Sequence, residues 1–342
     1  MSFKRLDPED FILSADSITA PLWSTNSPTL TTFFTSSTQE ASSAGDYYLS
    51  VYQTGSALLG SEVQFDIAYA NKLGSGSALF NSIASTTNSP TKTVYGQYRA
   101  LVLGDENSDF IFGNITGSDF WVLSIARNRY KESLFPGSLT LRLTGSLGSI
   151  VLTDDSQYTS TNVFTDAGRV YNIISGSAGV KNTSLNTNGW SPNSGSYGWF
   201  LPDIGTILLN CTALSSSLAA GGIGLNVSRS NNSDGLNTQR LFRAISGSTA
   251  PTFSLNSQET ITSDYVFIRA RNSEFNYSEN PTFISGSTGE VLYVDFVNNP
   301  QVYFTTVGMY NDNNELLAVA KLSRPLIKDF TKEALIRVKL DF

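Results

Sequence analysis

The sequence predicts a mainly β chain: two antiparallel β-sandwich-like domains with a few short helices, preceded by an extended N-terminal arm. Three observations carry that expectation. Apolar side chains recur at every second position through one segment after another, the period of a half-buried strand. Clusters of Ser, Gly and Asn interrupt those segments at short intervals, as turns do in all-β domains. At 342 residues the chain also passes the length of about 250–300 residues at which a single core stops growing, which fits two domains or one elaborated β domain.

Residues 1–45 lack steady periodicity and set Trp23 and the paired Phe33 and Phe34 in polar surroundings. Such a segment reads as an arm that stays extended until its rings meet a partner surface; the alternative is a segment packed on its own domain. A first β domain is expected over 46–148. There "SEVQFDIAY" points Val63, Phe65, Ile67 and Tyr69 one way, "DFWVLSIAR" (119–127) reads as a strand, and "SLTLRLTG" aligns Leu139, Leu141 and Leu143. Between them "SPTKTVYGQYRALVLG" switches to helical spacing through Val94, Tyr98, Leu101 and Val102, with Ser89 and Pro90 as cap and first-turn residue.

A second β domain is expected over 149–255, with strands in "SIVLT", "RVYNIIS" and "GTILLNCTAL". The loop "KNTSLNTNGWSPNSGSYGWFLPDIG" (181–205) places Trp190, Tyr197 and Trp199 in an adaptable Gly/Ser/Pro setting, which suits binding as well as folding back on the domain. "GLNTQRLFRAISG" predicts a second helix with Leu241, Phe242 and Ile245 on one face and Gly247 as its stop. Residues 256–342 return to strands, free to pair with the first β domain. "DYVFIRAR" is one; "PQVYFTTVGMY", with Val302, Phe304, Thr306 and Gly308 on one face, makes a hairpin with "ELLAVAKL" through the turn "NDNN". In the last strand, "LIRVKLDF", Ile336, Val338, Leu340 and Phe342 alternate with Arg337, Lys339 and Asp341.

Composition narrows function by exclusion. The chain has no His and one Cys, Cys211. Ser-His-Asp and Cys-His nucleophiles, imidazole and thiolate metal sites and the usual neutral-pH proton shuttle are thereby removed. Two-carboxylate glycoside hydrolysis needs neither residue and stays open, although Asp154–Asp155, Asp203 and Glu132 each read more simply as turn or surface carboxylates. "DENSD" (105–109) begins like a calcium loop but has Phe110 where Gly belongs, and is read as a plain loop. No catalytic residue, cofactor or metal is expected. A formal charge of −7 opposes a general nucleic-acid role. No window approaches the ~20 apolar residues of a membrane span, and "MSFKRLDPEDFIL" lacks the apolar stretch of a signal peptide, so synthesis and retention in the cytosol are expected.

The segment "TSDYVFIRARNSEFNYSENPTFISGSTGEV" followed by "PQVYFTTVGMYNDNNELLAVAKLSRPLIKDFTKEALIRVKLDF" resembles the C-terminal part of structural proteins of contractile-tailed bacteriophages, notably those of aquatic bacteria. "SPTKTVYGQYRALVL", "YKESLFPG" and "YGWFLPDIG" are similar to other parts of those proteins, so the likeness spans most of 60–342. It implies a virion protein of the tail or baseplate, made in the host cytoplasm, with no known catalytic residue. Its partners are then other phage structural proteins and copies of itself, with no nucleic acid or membrane. Arg271, Asn272, Phe275 and Tyr277 join Trp23, Phe33, Phe34, Trp190, Tyr197 and Trp199 as candidate assembly contacts, the first four weighed against an internally satisfied loop. A head or neck protein, a carbohydrate- or receptor-binding module taking a host surface glycan on Trp190, Tyr197 and Trp199, and a glycan-degrading tail enzyme are the alternatives.

Overall fold

The computed structural model describes residues 3–36, 48–74, 76, 89–159, 163–182, 196–228, 236–249, 253–278 and 280–341. Its strands are, in chain order, β1 (Phe11–Pro21), β2 (Thr29–Leu30), β3 (Tyr48–Tyr52), β4 (Val63–Asn71), β5 (Phe110–Phe112), β6 (Ile115–Gly117), β7 (Asp119–Ile125), β8 (Ser133–Leu134), β9 (Thr140–Thr144) and β10 (Ser149–Asp154). There follow β11 (Val163–Thr165), β12 (Gly168–Ser177), β13 (Val180–Lys181), β14 (Gly198–Leu201), β15 (Thr206–Asn210), β16 (Phe253–Ser254), β17 (Asn256–Ala270), β18 (Val302–Tyr310), β19 (Leu316–Lys328) and β20 (Ala334–Asp341). Short helices at Pro90–Leu103, Cys211–Ser215, Leu236–Ser246 and Val294–Asn298 complete a mainly β chain.

Two compact units result: one is Ile18–Glu259, and the other joins Met1–Ser17 to Thr260–Phe342. The division thus falls inside β1 and β17 rather than near residue 148. That expected boundary runs through a ladder, because β15 pairs with β7, Ile207 opposite Leu123. Cross-strand pairing ignores proximity along the chain, so a boundary drawn between consecutive segments can cut a sheet.

In the larger unit the strands follow the order β2-β16-β9-β10-β12-β14-β15-β7-β4-β3, with β11 and β13 also on β12. Alternation sorts each central strand onto two cores. Trp121, Leu123 and Ile125 of β7 enter one cluster with Phe65, Ile67 and Tyr69 of β4, while Phe120 and Val122 enter a second with Ala70. The helix Pro90–Leu103 covers the second through Val94, Tyr95 and Val102. Its inward face includes Tyr95 rather than the expected Leu101, which is exposed; the Tyr95 hydroxyl donates to the Gly117 carbonyl at 3.1 Å. The helix Leu236–Ser246 buries Leu241, Phe242 and Ile245 as expected, and it touches β9 as well as β3 and β4, which lie at the other end of the strand order. Only a sheet curled around that helix allows both contacts.

Closure of the curl is aromatic. Phe253 of β16 and Phe65 of β4 lie far apart in the strand order, yet their ring centroids are 5.3 Å apart. Trp23 sits against both, at 4.9 Å from Phe253 and 6.1 Å from Phe65, with its indole N–H donated to the Pro28 carbonyl at 3.0 Å. β2 pairs with β16 on one side, and Phe34 bridges to Tyr52 on the other. Residues 18–36 are therefore part of this unit's own structure, the alternative left open for the N-terminal arm. Residues 37–47 lie outside the described residues.

Gly198 shows how tightly the central strands meet. Its φ is +151°, and a Cβ placed there would lie 1.8 Å from the Leu208 carbonyl oxygen across the ladder. Backbone cannot move aside between β12 and β15 without breaking both pairings. Gly198→Ala is expected to cost about 3 kcal/mol, read as a lowered urea midpoint by tryptophan fluorescence, a reporter of this unit because Trp23, Trp121, Trp190 and Trp199 all belong to it.

The smaller unit is a thin structure. β17 lies between β1 and β20, and β20 alternates as expected: Ile336 and Val338 are buried, Arg337 and Lys339 exposed. The hairpin β18–β19 packs Phe304, Val307, Met309, Ala320 and Leu322 onto Val266, Ile336 and Val338. Its inward face departs from the expected Val302, Phe304, Thr306 and Gly308. Register slips between Phe304 and Thr306, where Pro325 and its neighbours on β19 form extra, unpaired backbone, so Val307 and Met309 turn inward instead. Proline has no N–H for the ladder, and a slip of one residue exchanges the faces of a strand.

Candidate interaction surface and its polar anchor

The loop after β17 is fixed from inside. Lys328, the last residue of β19, has 0% exposure, and its ammonium donates to the Asn272 carbonyl at 3.0 Å, the Asn276 side-chain oxygen at 2.7 Å and the Asp329 carbonyl at 2.9 Å. The Asn276 amide donates in turn to the Asn272 carbonyl at 2.6 Å. Three donors meet three oxygens, none of them a carboxylate, so the buried charge is held by dipoles alone. This anchor lets the backbone turn sharply, with Phe275 at φ +52° and its ring edge-on to Phe304, centroids 6.3 Å apart.

Around the anchor, Glu274 accepts the Arg271 backbone N–H at 2.8 Å and the Lys4 ammonium at 3.0 Å. That backbone donor, with Lys4 behind it, lowers the Glu274 pKa below its ordinary value. Asp329 is lowered by the Thr331 hydroxyl at 2.5 Å, and Asp341 by Ser263 and Lys339. Phe3, Lys4, Arg5, Arg271, Glu274 and Phe275 line an open groove of about 410 Å³. The hairpin tip is a self-contained turn: Asn311 accepts the N–H groups of Asn313 and Glu315 at 3.0 and 2.8 Å, and Asn314 takes φ +62°.

Beyond the anchor much of the hairpin is uncovered, with the Phe3 ring edge-on to Tyr310 at 5.2 Å between centroids. Tyr303, Tyr310, Leu316, Leu317, Val319 and Leu326 are all exposed, Leu317 at 69%. More than half of the exposed large hydrophobic side chains among the described residues belong to this smaller unit, whose core cluster holds just three buried members, Val266, Ile336 and Val338. Contiguous apolar surface of that kind marks an interaction site.

The expected contact residues are distributed differently. Arg271 and Phe275 share the groove, Asn272 serves the Lys328 anchor through its carbonyl, and Tyr277 is 52% exposed. Trp23 and Tyr197, at 2% and 1% exposure, are core residues and offer no surface; the Tyr197 hydroxyl is used up on the Gly221 carbonyl at 2.7 Å. Phe33 packs on the same core, at 6.5 Å from Phe65, and only Phe34 of that pair is exposed. Trp199 lies on the opposite face, against Phe110 and Phe112 at 5.7 and 5.3 Å. Tyr197 precedes β14 and packs into one core while Trp199 packs against the other, so the two form no common stacking platform; Trp190 lies outside the described residues. Lys328, Lys4 and Glu274 escaped sequence reasoning, because a lysine ending a strand carries no signal that its head is buried.

Three of the four carboxylates weighed for glycoside hydrolysis accept hydrogen bonds from the protein. Asp203 holds the Arg169 guanidinium at 3.0 Å from Nε and also accepts its backbone N–H at 2.7 Å. Asp154 accepts the Gly137 N–H at 2.8 Å through Oδ1, while its Oδ2 is buried with no hydrogen-bond partner among the described residues. Asp155 accepts the backbone and side-chain N–H groups of Asn172, and burial raises its pKa. In "DENSD", Asp105 caps Asn107 and Ser108 within the loop, and Asp109 meets the Lys72 ammonium at 2.6 Å. No helix among the described residues is long and apolar enough to cross a membrane. Comparison with protein-family models, with curated proteins and with solved structures finds no match to this chain.

Lys328→Met strips the loop of its three donors and leaves buried oxygens unpaired, so a loss of about 3 kcal/mol is expected in the smaller unit, seen by far-UV circular dichroism in urea with the tryptophan transition unchanged. Acid separates the units further. Glu274, Asp329 and Asp341 have lowered folded values, so their stabilisation is complete above the ordinary 4.5 and 3.8 and is lost as pH falls through the lower folded ones. Asp66 and Asp155 in the larger unit are raised by burial, so their cost at neutral pH disappears as pH falls toward 3.8. In an acid titration the circular dichroism change is expected to precede the tryptophan change; coincident transitions would contradict this assignment.

Proposed function

We propose that this chain is a non-enzymatic structural protein of a tailed-bacteriophage particle, placed in the tail or baseplate, that works through contacts with other particle proteins and with copies of itself. The observation that carries the reading is the largely uncovered apolar hairpin β18–β19 on a unit with a thin core. A unit so constructed gains more from burying its outer surface against a neighbour than from its own interior, and permanent interfaces of ~2,000 Å² or more supply that burial. The resemblance of the segments around this same hairpin to contractile-tail structural proteins supports the setting. The engaged state of Asp155 and Asp203 weighs against the glycan-degrading alternative, and the separation of Tyr197 from Trp199 weighs against a sugar platform built on that pair.

Mass spectrometry of purified particles, split into tail and head fractions, tests the proposal. The chain is expected in the tail fraction. Recovery with heads alone moves it to a head or neck position, and absence from the particle ends the reading.

A further inference from the structure

We propose that the open edge of β18 is a self-association edge, pairing antiparallel with the same edge of a second copy of this chain. The inference deepens the assembly role above by naming one partner, and its geometry stands on the strand itself. Among the described residues β18 has β19 as its only ladder partner, and no backbone hydrogen bond leaves its other edge. A row of unpaired N–H and C=O groups is a template for a further strand, and monomeric proteins blunt such rows with charge, proline or bulges. Charge or proline marks the other outer strands of the smaller unit: β19 carries Lys321, Arg324 and Pro325, β20 carries Arg337 and Lys339, and the part of β1 in this unit carries Asp16. β18, "VYFTTVGMY", shifts register against β19 between Phe304 and Thr306 and between Met309 and Tyr310, yet it has neither charge nor proline in nine residues and is rich in β-branched and aromatic side chains.

The strand is also complementary to itself. A two-fold axis between Thr306 and Val307 sets Tyr303 opposite the second copy's Tyr310, Phe304 opposite its Met309 and Thr305 opposite its Gly308. Tyr303, Tyr310, Thr305 and Gly308 are all exposed, while Phe304 and Met309 are both half-buried. Like therefore meets like on each face, as an isologous contact requires. The single mismatched pair, Thr306 with Val307, falls where the alternation of β18 already slips. Pairing would extend each two-stranded hairpin into one four-stranded sheet and join the exposed tyrosines and leucines of both copies, passing the three strands or so at which such ribbons become independently stable.

Sedimentation velocity of the full chain over a concentration series tests this, with circular dichroism as the check on folding. The unmodified chain is expected to dimerise reversibly. Tyr303→Lys with Tyr310→Lys places like charges opposite one another and is expected to weaken association about tenfold or more, whereas Tyr303→Lys with Tyr310→Glu places opposite charges there and restores it. If the double lysine variant loses its fold, Thr305→Lys, at an exposed position, is read in its place and is expected to weaken association too. A monomeric unmodified chain, a dimer indifferent to the lysines, or a Lys/Glu pair as weak as the Lys/Lys pair overturns the proposal. A chain that dimerises through this edge but is absent from particles ends the function proposed above and leaves this inference standing; a particle component with an indifferent dimer does the reverse.

Discussion

Three rings keep the large sheet curled. Phe65 of β4 meets Phe253 of β16 directly across the mouth of the curl, and Trp23 packs against both rings and widens that contact. Each ring is worth several kcal/mol of burial, comparable to the net stability of a domain when the three act together. Everything else in the larger unit follows from that closure. Once the sheet turns back on itself, its central strands are covered on both faces, and the alternating pattern feeds two cores instead of one core and a solvent face.

The smaller unit obeys the opposite economy. Its sheet and hairpin share one thin apolar layer, and the hairpin leaves its outer face uncovered. What organises it is polar: a buried ammonium at Lys328 holding two stretches of chain by their oxygens. A charge without a carboxylate partner tolerates few arrangements of the dipoles around it, which makes the loop and the foot of the hairpin a fixed frame for the apolar surface beyond. One unit is thus stable through its interior, while the other presents its apolar residues outward.

Much of the fold was legible in the residues. Period-two alternation located β4, β7, β9, β12 and β20, and the helical spacing of Leu241, Phe242 and Ile245 located the helix against the sheet. Three features were not. Where the curl closes depends on contacts between Trp23, Phe65 and Phe253, more than 180 residues apart in sequence at the extremes, which no local window contains. The strand expected over 205–214 ends at Asn210, because that side chain accepts the N–H groups of Thr212 and Ala213 and starts a helical turn. The inward face of β18 depends on a slip opposite Pro325, which is settled by the partner strand and not by β18 itself. Of the candidate contact residues, Arg271 and Phe275 were found in a shared groove, while Trp23 and Tyr197 went to the core, since a large ring in polar surroundings reads the same whether it is waiting for a partner or already has one.

The discontinuity of the smaller unit has a bearing on how the chain comes off the ribosome. Residues 1–17 are synthesised first, but β1 takes its place beside β17, whose outer half and whose neighbour β20 appear only after residue 259. Throughout translation of the intervening stretch, the exposed Phe11, Ile12 and Leu13 must wait without their sheet. The larger unit can close during that interval, so birth order gives it a head start, and the surface offered for assembly is completed only once β18, β19 and β20 have been made.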